Sequence, residues 1–237
     1  MIDIFRLLFG LICYIITLLF SFIPYINYII LHLLARINNY IFGFHKTIVK
    51  DYRKFKHDTK ILIFQHNSYY DLYLLGQHFK PKNITGMIDS NMLKIPIMKN
   101  LFKTFEMISV NKADKNNSQK LIDYLNNANN TKYLGIASAG NKATKEDRIG
   151  NFKTGAFVPM KPVTPVLIRY KDDKGSWFFK DNLKDWFLDI FKMRKFYTCE
   201  LIILEEITAE GCSTPREYAD KVEKYMKLNS QMLPPMT

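Results

Sequence analysis

Short apolar runs recur along this chain, separated by polar stretches of helical length, and they define most of its architecture. Strand-like runs fall at residues 60–64, 84–88, 107–110, 133–136, 163–170 and 199–204. Helical patterns lie between most of them. Residues 118–130 form an amphipathic pattern that frays toward an Asn-rich end. Thr214-Pro215-Arg216-Glu217 is a capping box that opens a last helix through about Leu228. This alternation predicts an α/β fold with a largely parallel central sheet flanked by helices. Residues 140–150 form a polar loop, and no internal repeat or long linker interrupts the pattern.

The N-terminus departs from it. From Leu7 to Leu34 no Asp, Glu, Lys or Arg occurs, a run of 28 residues. As a helix this run is about 42 Å long, against a hydrocarbon core of about 30 Å. Pro24 divides it and favours a kink. A single tilted span and a kinked segment that enters and leaves one leaflet both fit. A removed signal peptide is disfavoured by the run's length and by the lack of a small-residue cleavage pattern. Aromatic and β-branched residues on all sides, with no polar stripe, disfavour a soluble helix. The expected division is a membrane anchor over residues 1–45 and an α/β domain over residues 46–237.

Charge supports a membrane partner. Arg36, Lys46, Lys50, Arg53, Lys54 and Lys56 crowd the stretch after the apolar run, which places the α/β domain on the cytoplasmic face. The net charge of +12 draws such a domain toward anionic membrane lipids. Nucleic acid is the rival partner for a basic chain, but no nucleic-acid motif is present. A composition 48% hydrophobic and 24% charged is that of a globular chain. Cys13, Cys199 and Cys212 have no paired or metal-ligand spacing, so free thiols and no metal are expected. Trp186, Phe187, Ile190 and Phe191 recur at helical spacing beside Lys184, Lys192, Arg194 and Lys195. Core packing accounts for that stripe better than docking in the bilayer interface, although both fit.

The candidate chemistry lies just after the first strand-like run. His66 and Asp71 flank a short polar turn that follows Ile61-Leu62-Ile63-Phe64. Five positions apart on one helix, their side chains would diverge by about 140°. With Phe64 ending a strand and Asn67 or Ser68 capping a helix that begins near Tyr69, His66 can fold back toward Asp71. An imidazole held by a carboxylate suits a general base, which can take a hydroxyl proton near neutral pH. A surface histidine and a helix-start aspartate fit the same spacing.

The wider pattern decides between them. Gln65-His66-Asn67-Ser68-Tyr69-Tyr70-Asp71 resembles the first signature of the glycerolipid acyltransferases, N-H-x-S-x-x-D, with Gln65 in place of the leading Asn. Further resemblances follow in the family's order over about 170 residues: Leu93-Lys94-Ile95-Pro96 with Phe102, then Ile108-Ser109-Val110-Asn111-Lys112, then Phe152-Lys153-Thr154-Gly155-Ala156-Phe157, and finally Pro162-Val163-Thr164-Pro165-Val166. One signature is altered. The family's F-P-E-G-T corresponds to Ala137-Ser138-Ala139-Gly140-Asn141, so Ala139 stands where the family has a glutamate. Lys112 replaces the family's arginine, keeping the charge and losing its bidentate fork.

The resemblance implies a membrane-bound O-acyltransferase that uses acyl-CoA as co-substrate and esterifies a lysophospholipid acceptor in phospholipid synthesis or remodelling. It implies His66 as the base and Asp71 as its orienter. Ser68, Lys112, Gly140, Asn141 and Lys142 are the implied substrate-binding residues, with Ser68 supporting the turn and the others holding the acceptor phosphate or an oxygen of the donor. No metal or resident cofactor is implied. Two other readings remain open at this level. The altered signature fits a silent lipid-binding relative, and the same His and Asp fit a hydrolase acting on a thioester or lysolipid.

Overall fold

The computed structural model describes residues 44–53, 60–68, 71–79, 83–94, 106–111, 116–127, 132–139, 149–170 and 197–234, together with Leu8, Ile12, Ile15 and Ile16. These last four are helical and exposed. The remaining residues up to 43 of the expected anchor, and the aromatic stripe at residues 186–191, lie outside the described residues, while residues 44–45 of that anchor belong to the first strand. Among the described residues no helix is long and apolar enough to cross a membrane.

Seven strands form one sheet: β1 (Phe44–Asp51), β2 (Ile61–Phe64), β3 (Ile84–Asp89), β4 (Ile108–Val110), β5 (Tyr133–Ala137), β6 (Thr164–Tyr170) and β7 (Tyr197–Ile203). Their order is β1-β7-β6-β2-β5-β3-β4. From β6 through β4 all neighbours are parallel. β7 runs antiparallel to β6, and β1 is parallel to β7, so the sheet is mostly parallel with two reversed strands at one edge. The six strands expected from the sequence are all present within two residues of their expected bounds. β1 is an addition.

Helices α1 (Asp71–Phe79), α2 (Asn117–Asn126) and α3 (Pro215–Met232) pack on this sheet. All four residues of β2 are buried, and their alternation feeds two cores. Ile61 and Ile63 join Leu121 of α2 and Tyr218, Ala219, Val222 and Met226 of α3 on one face. Leu62 and Phe64 join Leu74, Leu75 and Phe79 of α1 on the other. A central strand covered on both sides therefore reads as an unbroken apolar run.

α3 begins as its sequence predicts and runs about one turn further. Thr214 Oγ1 accepts from Glu217 N at 3.2 Å, while the Glu217 carboxylate reaches past Thr214 to accept from Ser213 N at 2.6 Å. The same helix holds the backbone of Phe152. Glu223 Oε2 accepts from Phe152 N at 2.6 Å, and Arg216 Nη1 donates to Phe152 O at 2.9 Å. Phe152 is thereby fixed in the α3-side core, stacked on Phe157 at a ring separation of 6.1 Å.

Lys50 and Arg53, two of the basic residues after the apolar N-terminal run, have partners within the fold. Lys50, on edge strand β1, donates to Glu200 Oε1 at 2.7 Å across to β7. Arg169 of β6 donates to the other Glu200 oxygen at 2.9 Å and, through Nη2, to Pro234 O at 2.8 Å. Arg53 grips Asp51, which holds the Asp51 carboxyl below its ordinary range. A basic stretch that reads as a membrane flank is therefore partly a charged sheet edge, a common guard against edge-to-edge pairing.

Candidate active site

β2 lies near the middle of the sheet, with β6 on one side and β5 on the other, and the turn after it emerges at the carboxyl ends of the parallel strands. In mostly parallel sheets ligands bind outside the carboxyl ends of the strands. His66 stands on that turn, and its side chain keeps 29% of its exposure. Asp71 opens α1 and is fully buried.

The two side chains meet. Nδ1–H of His66 donates to Asp71 Oδ2 at 3.0 Å. The same oxygen accepts from Asn67 N at 2.6 Å and Ser68 N at 2.9 Å, and Asp71 N donates to Ser68 O at 3.2 Å. Asp71 thus closes the turn and holds the imidazole at once. With Nδ1 donating to a carboxylate, Nε2 carries the ring's lone pair. Phe64 packs edge-on to the imidazole at 6.1 Å between ring centres and restricts its swing.

Ser68 is buried within the turn, where its backbone serves Asp71. The first side chain of α1, Asp71, accepts from the amides of Asn67 and Ser68 before it. Ala139 is buried in the α3-side apolar cluster with Ile136, Ile149 and Phe152. Lys112, Gly140, Asn141 and Lys142 lie outside the described residues.

Two further features come from β6. Tyr170 OH donates to Asp71 Oδ1 at 2.5 Å, from a residue itself buried among the α1-side core. Gln65 Nε2 donates to Ile168 O at 2.9 Å, with Asn67 Nδ2 at 3.4 Å from the same oxygen. The last backbone pair between these strands is Phe64 with Val166, so Gln65 continues the ladder through its side chain. Gln65 Oε1, Asn67 Oδ1 and Ser138 Oγ are buried without a partner among the described residues. Neither Tyr170 nor the bond made by Gln65 is signalled locally in the sequence, because each partner lies about a hundred residues away.

Comparison with known proteins accords with this arrangement. The family model described as Acyltransferase matches residues 46–169, just over half of the chain. The chain belongs to the glycerolipid acyltransferase family. The chain is 26% identical over 213 residues to a lysophospholipid acyltransferase of Xenopus tropicalis, covering 83% of this chain and 39% of that one. It is 25% identical over 198 residues to human lysophosphatidylcholine acyltransferase 1, covering 78% and 35%. The chain thus spans well under half the length of these relatives. Its fold resembles the crystal structure of a 1-acyl-sn-glycerophosphate acyltransferase, PlsC, from Thermotoga maritima, with a TM-score of 0.61 at 17% identity over the whole of both chains. Tyr170 lies one residue beyond the span that the acyltransferase family model covers.

Proposed function

We propose that this acyltransferase is a membrane-bound, acyl-CoA-dependent enzyme that esterifies a lysophospholipid, with its α/β domain on the cytoplasmic face. The observation that carries the reading is the His66–Asp71 pair, joined at 3.0 Å through Nδ1, with Nε2 the nitrogen assigned to the substrate hydroxyl. Family membership and the relatives' lysophospholipid acceptors support the substrate class.

His66 Nε2 takes the proton of the acceptor hydroxyl as that oxygen attacks the thioester carbonyl. The tetrahedral oxyanion then collapses, the C–S bond breaks, and the imidazolium returns its proton to the leaving CoA thiolate. The products are an ester and free CoA. Because the acceptor hydroxyl is itself the nucleophile, no acyl-enzyme is required. Asp71 holds the base and stabilises its charged form. Lys112, Gly140, Asn141 and Lys142 are assigned to the acceptor phosphate.

The test presents the detergent-solubilised full chain and its His66→Ala variant with labelled acyl-CoA. The acceptor panel holds lysophosphatidic acid, other lysophospholipids and glycerol 3-phosphate. Acylated product from the wild type, reduced about 10²–10⁴-fold in the variant, is expected. Free fatty acid without an acceptor would mark a hydrolase instead. Turnover retained by a folded His66→Ala would remove the mechanism.

A further inference from the structure

Asp71 serves His66 only if its carboxylate stays in one rotational setting. Its oxygens are not equivalent. Oδ2 accepts from His66 Nδ1 and from the amides of Asn67 and Ser68. Oδ1 accepts from Tyr170 OH, its one side-chain donor among the described residues. The first set comes from the turn that the carboxylate closes. The second comes from another strand, 99 residues along the chain.

The origin of the Tyr170 hydroxyl matters because β6 is fixed from behind. Alternation along the strand puts Tyr170 on the α1 face, and Arg169 points the other way. Arg169 is bound to Glu200, Glu200 to Lys50, and Arg169 also to Pro234 O. Tyr170 is itself paired with Cys199 of β7 in the antiparallel register. The hydroxyl therefore approaches Asp71 from a frame that does not move with the β2–α1 turn.

We infer that Tyr170 is a positioning residue for the reaction: its hydroxyl, held by β6, locks the Asp71 carboxylate in the setting that keeps Oδ2 on His66 Nδ1–H and leaves Nε2 as the base. This rests on the reading of His66 as the base. Without the hydroxyl, Oδ1 is buried with no donor, and the carboxylate gains by turning to share the Oδ2 donors. The imidazole then loses its fixed tautomer. Tyr170 is buried in the α1-side core, so its loss is expected to act through Asp71 and to leave substrate binding unchanged.

The experiment compares the full chain with Tyr170→Phe in three readouts: steady-state acyl transfer, thermal unfolding, and ¹⁵N spectra of the histidine rings assigned through His66→Ala. The expected result is a kcat lower by about tenfold or more with both KM values within about twofold. In the spectra, His66 should pass from a single Nδ1–H tautomer to a mixture. A Tyr170→Phe enzyme with wild-type kcat and an unchanged His66 spectrum would overturn the inference. If the wild type transfers no acyl group, the tautomer readout still decides it, and only the proposed function fails. Should Tyr170→Phe not fold, 3-fluorotyrosine at position 170 retains the packing and donates more strongly. An upfield move of the His66 Nδ1 proton is then expected, and no move overturns the proposal.

Discussion

Ala139 and Gly150 stand so close that a Cβ added at residue 150 would lie 2.9 Å from the Ala139 Cβ, and Gly150 holds φ at +73°. A side chain there meets both a left-handed backbone and a neighbour already buried in the core. Gly150→Ala is expected to cost about 2 kcal/mol, a fall in Tm of about 4–8 °C. The same packing bears on the altered signature. Ala139→Glu would put an unpaired carboxylate among Ile136, Ile149 and Phe152, at a cost of several kcal/mol by order of magnitude. Restoring the family's glutamate should therefore destabilise this chain more than Gly150→Ala does. Denaturant midpoints for the two variants check both statements.

Asp71→Asn tests how much of the site rests on one carboxylate. An amide has one acceptor oxygen, whereas the donors meeting Asp71 occupy both of its oxygens. The variant is expected to lose about a hundredfold or more in kcat and about 3 kcal/mol of stability. Turnover assays read beside a melting curve would separate the two losses. Turnover within threefold of wild type would show that His66 does not depend on Asp71.

Burial pushes the Cys199 thiol up to about 11, opposed in part by its 3.3 Å contact with Thr47 Oγ1. An unfolded thiol ionises from about pH 9 upward, while the folded one stays neutral. The unfolded state therefore gains from ionisation first. Stability is unaffected below pH 9 and falls as the pH rises through 9 toward about 11, by at most about 1.4 kcal/mol per pH unit. Cys199→Ala should flatten that part of the stability–pH curve. In native protein at pH 8 a thiol reagent should modify the half-exposed Cys212 and spare Cys199.

Glu200 joins β1, β7 and β6 through Lys50 and Arg169 while only 5% exposed. Glu200→Gln leaves two cations facing a neutral amide, with an expected cost of about 3 kcal/mol. Lys50 is the more exposed cation, so Lys50→Met should cost under half as much. Urea unfolding of both variants gives the comparison. Equal losses would mean that Arg169 alone does not hold the carboxylate.

The sequence makes parts of this molecule readable where the physics is local. β2 is plain because a strand buried on both faces stays apolar along its length, and β6 is nearly so, with Arg169 its one charged residue. β1 is not, because Phe44–Asp51 carries the charges of an edge strand and follows an apolar run that makes those charges resemble a membrane flank. Lys50 shows its structural use only once Glu200, 150 residues away, is beside it. His66 and Asp71 are visible because one turn joins them. Tyr170 and the bond from Gln65 to Ile168 O pass between strands, and no local spacing encodes them. Ser68 lies in the turn that joins His66 and Asp71, its amide donating forward to Asp71. The capping box at Thr214 is legible because its partners are three residues apart, although its glutamate reaches one residue further back than the motif implies.

Phe152 carries its own consequence. Its amide proton is held by Glu223 and its carbonyl by Arg216, two side chains of α3 that keep their geometry only while that helix is wound. In an amide-exchange experiment this single loop proton should exchange at the rate of the helix's interior rather than that of a loop. A partial opening that unzips α3 would release Phe152 in the same event. The stretch leading from Gly150 toward β6 is thus expected to belong to the cooperative unit that α3 defines, its persistence in solution set by the helix.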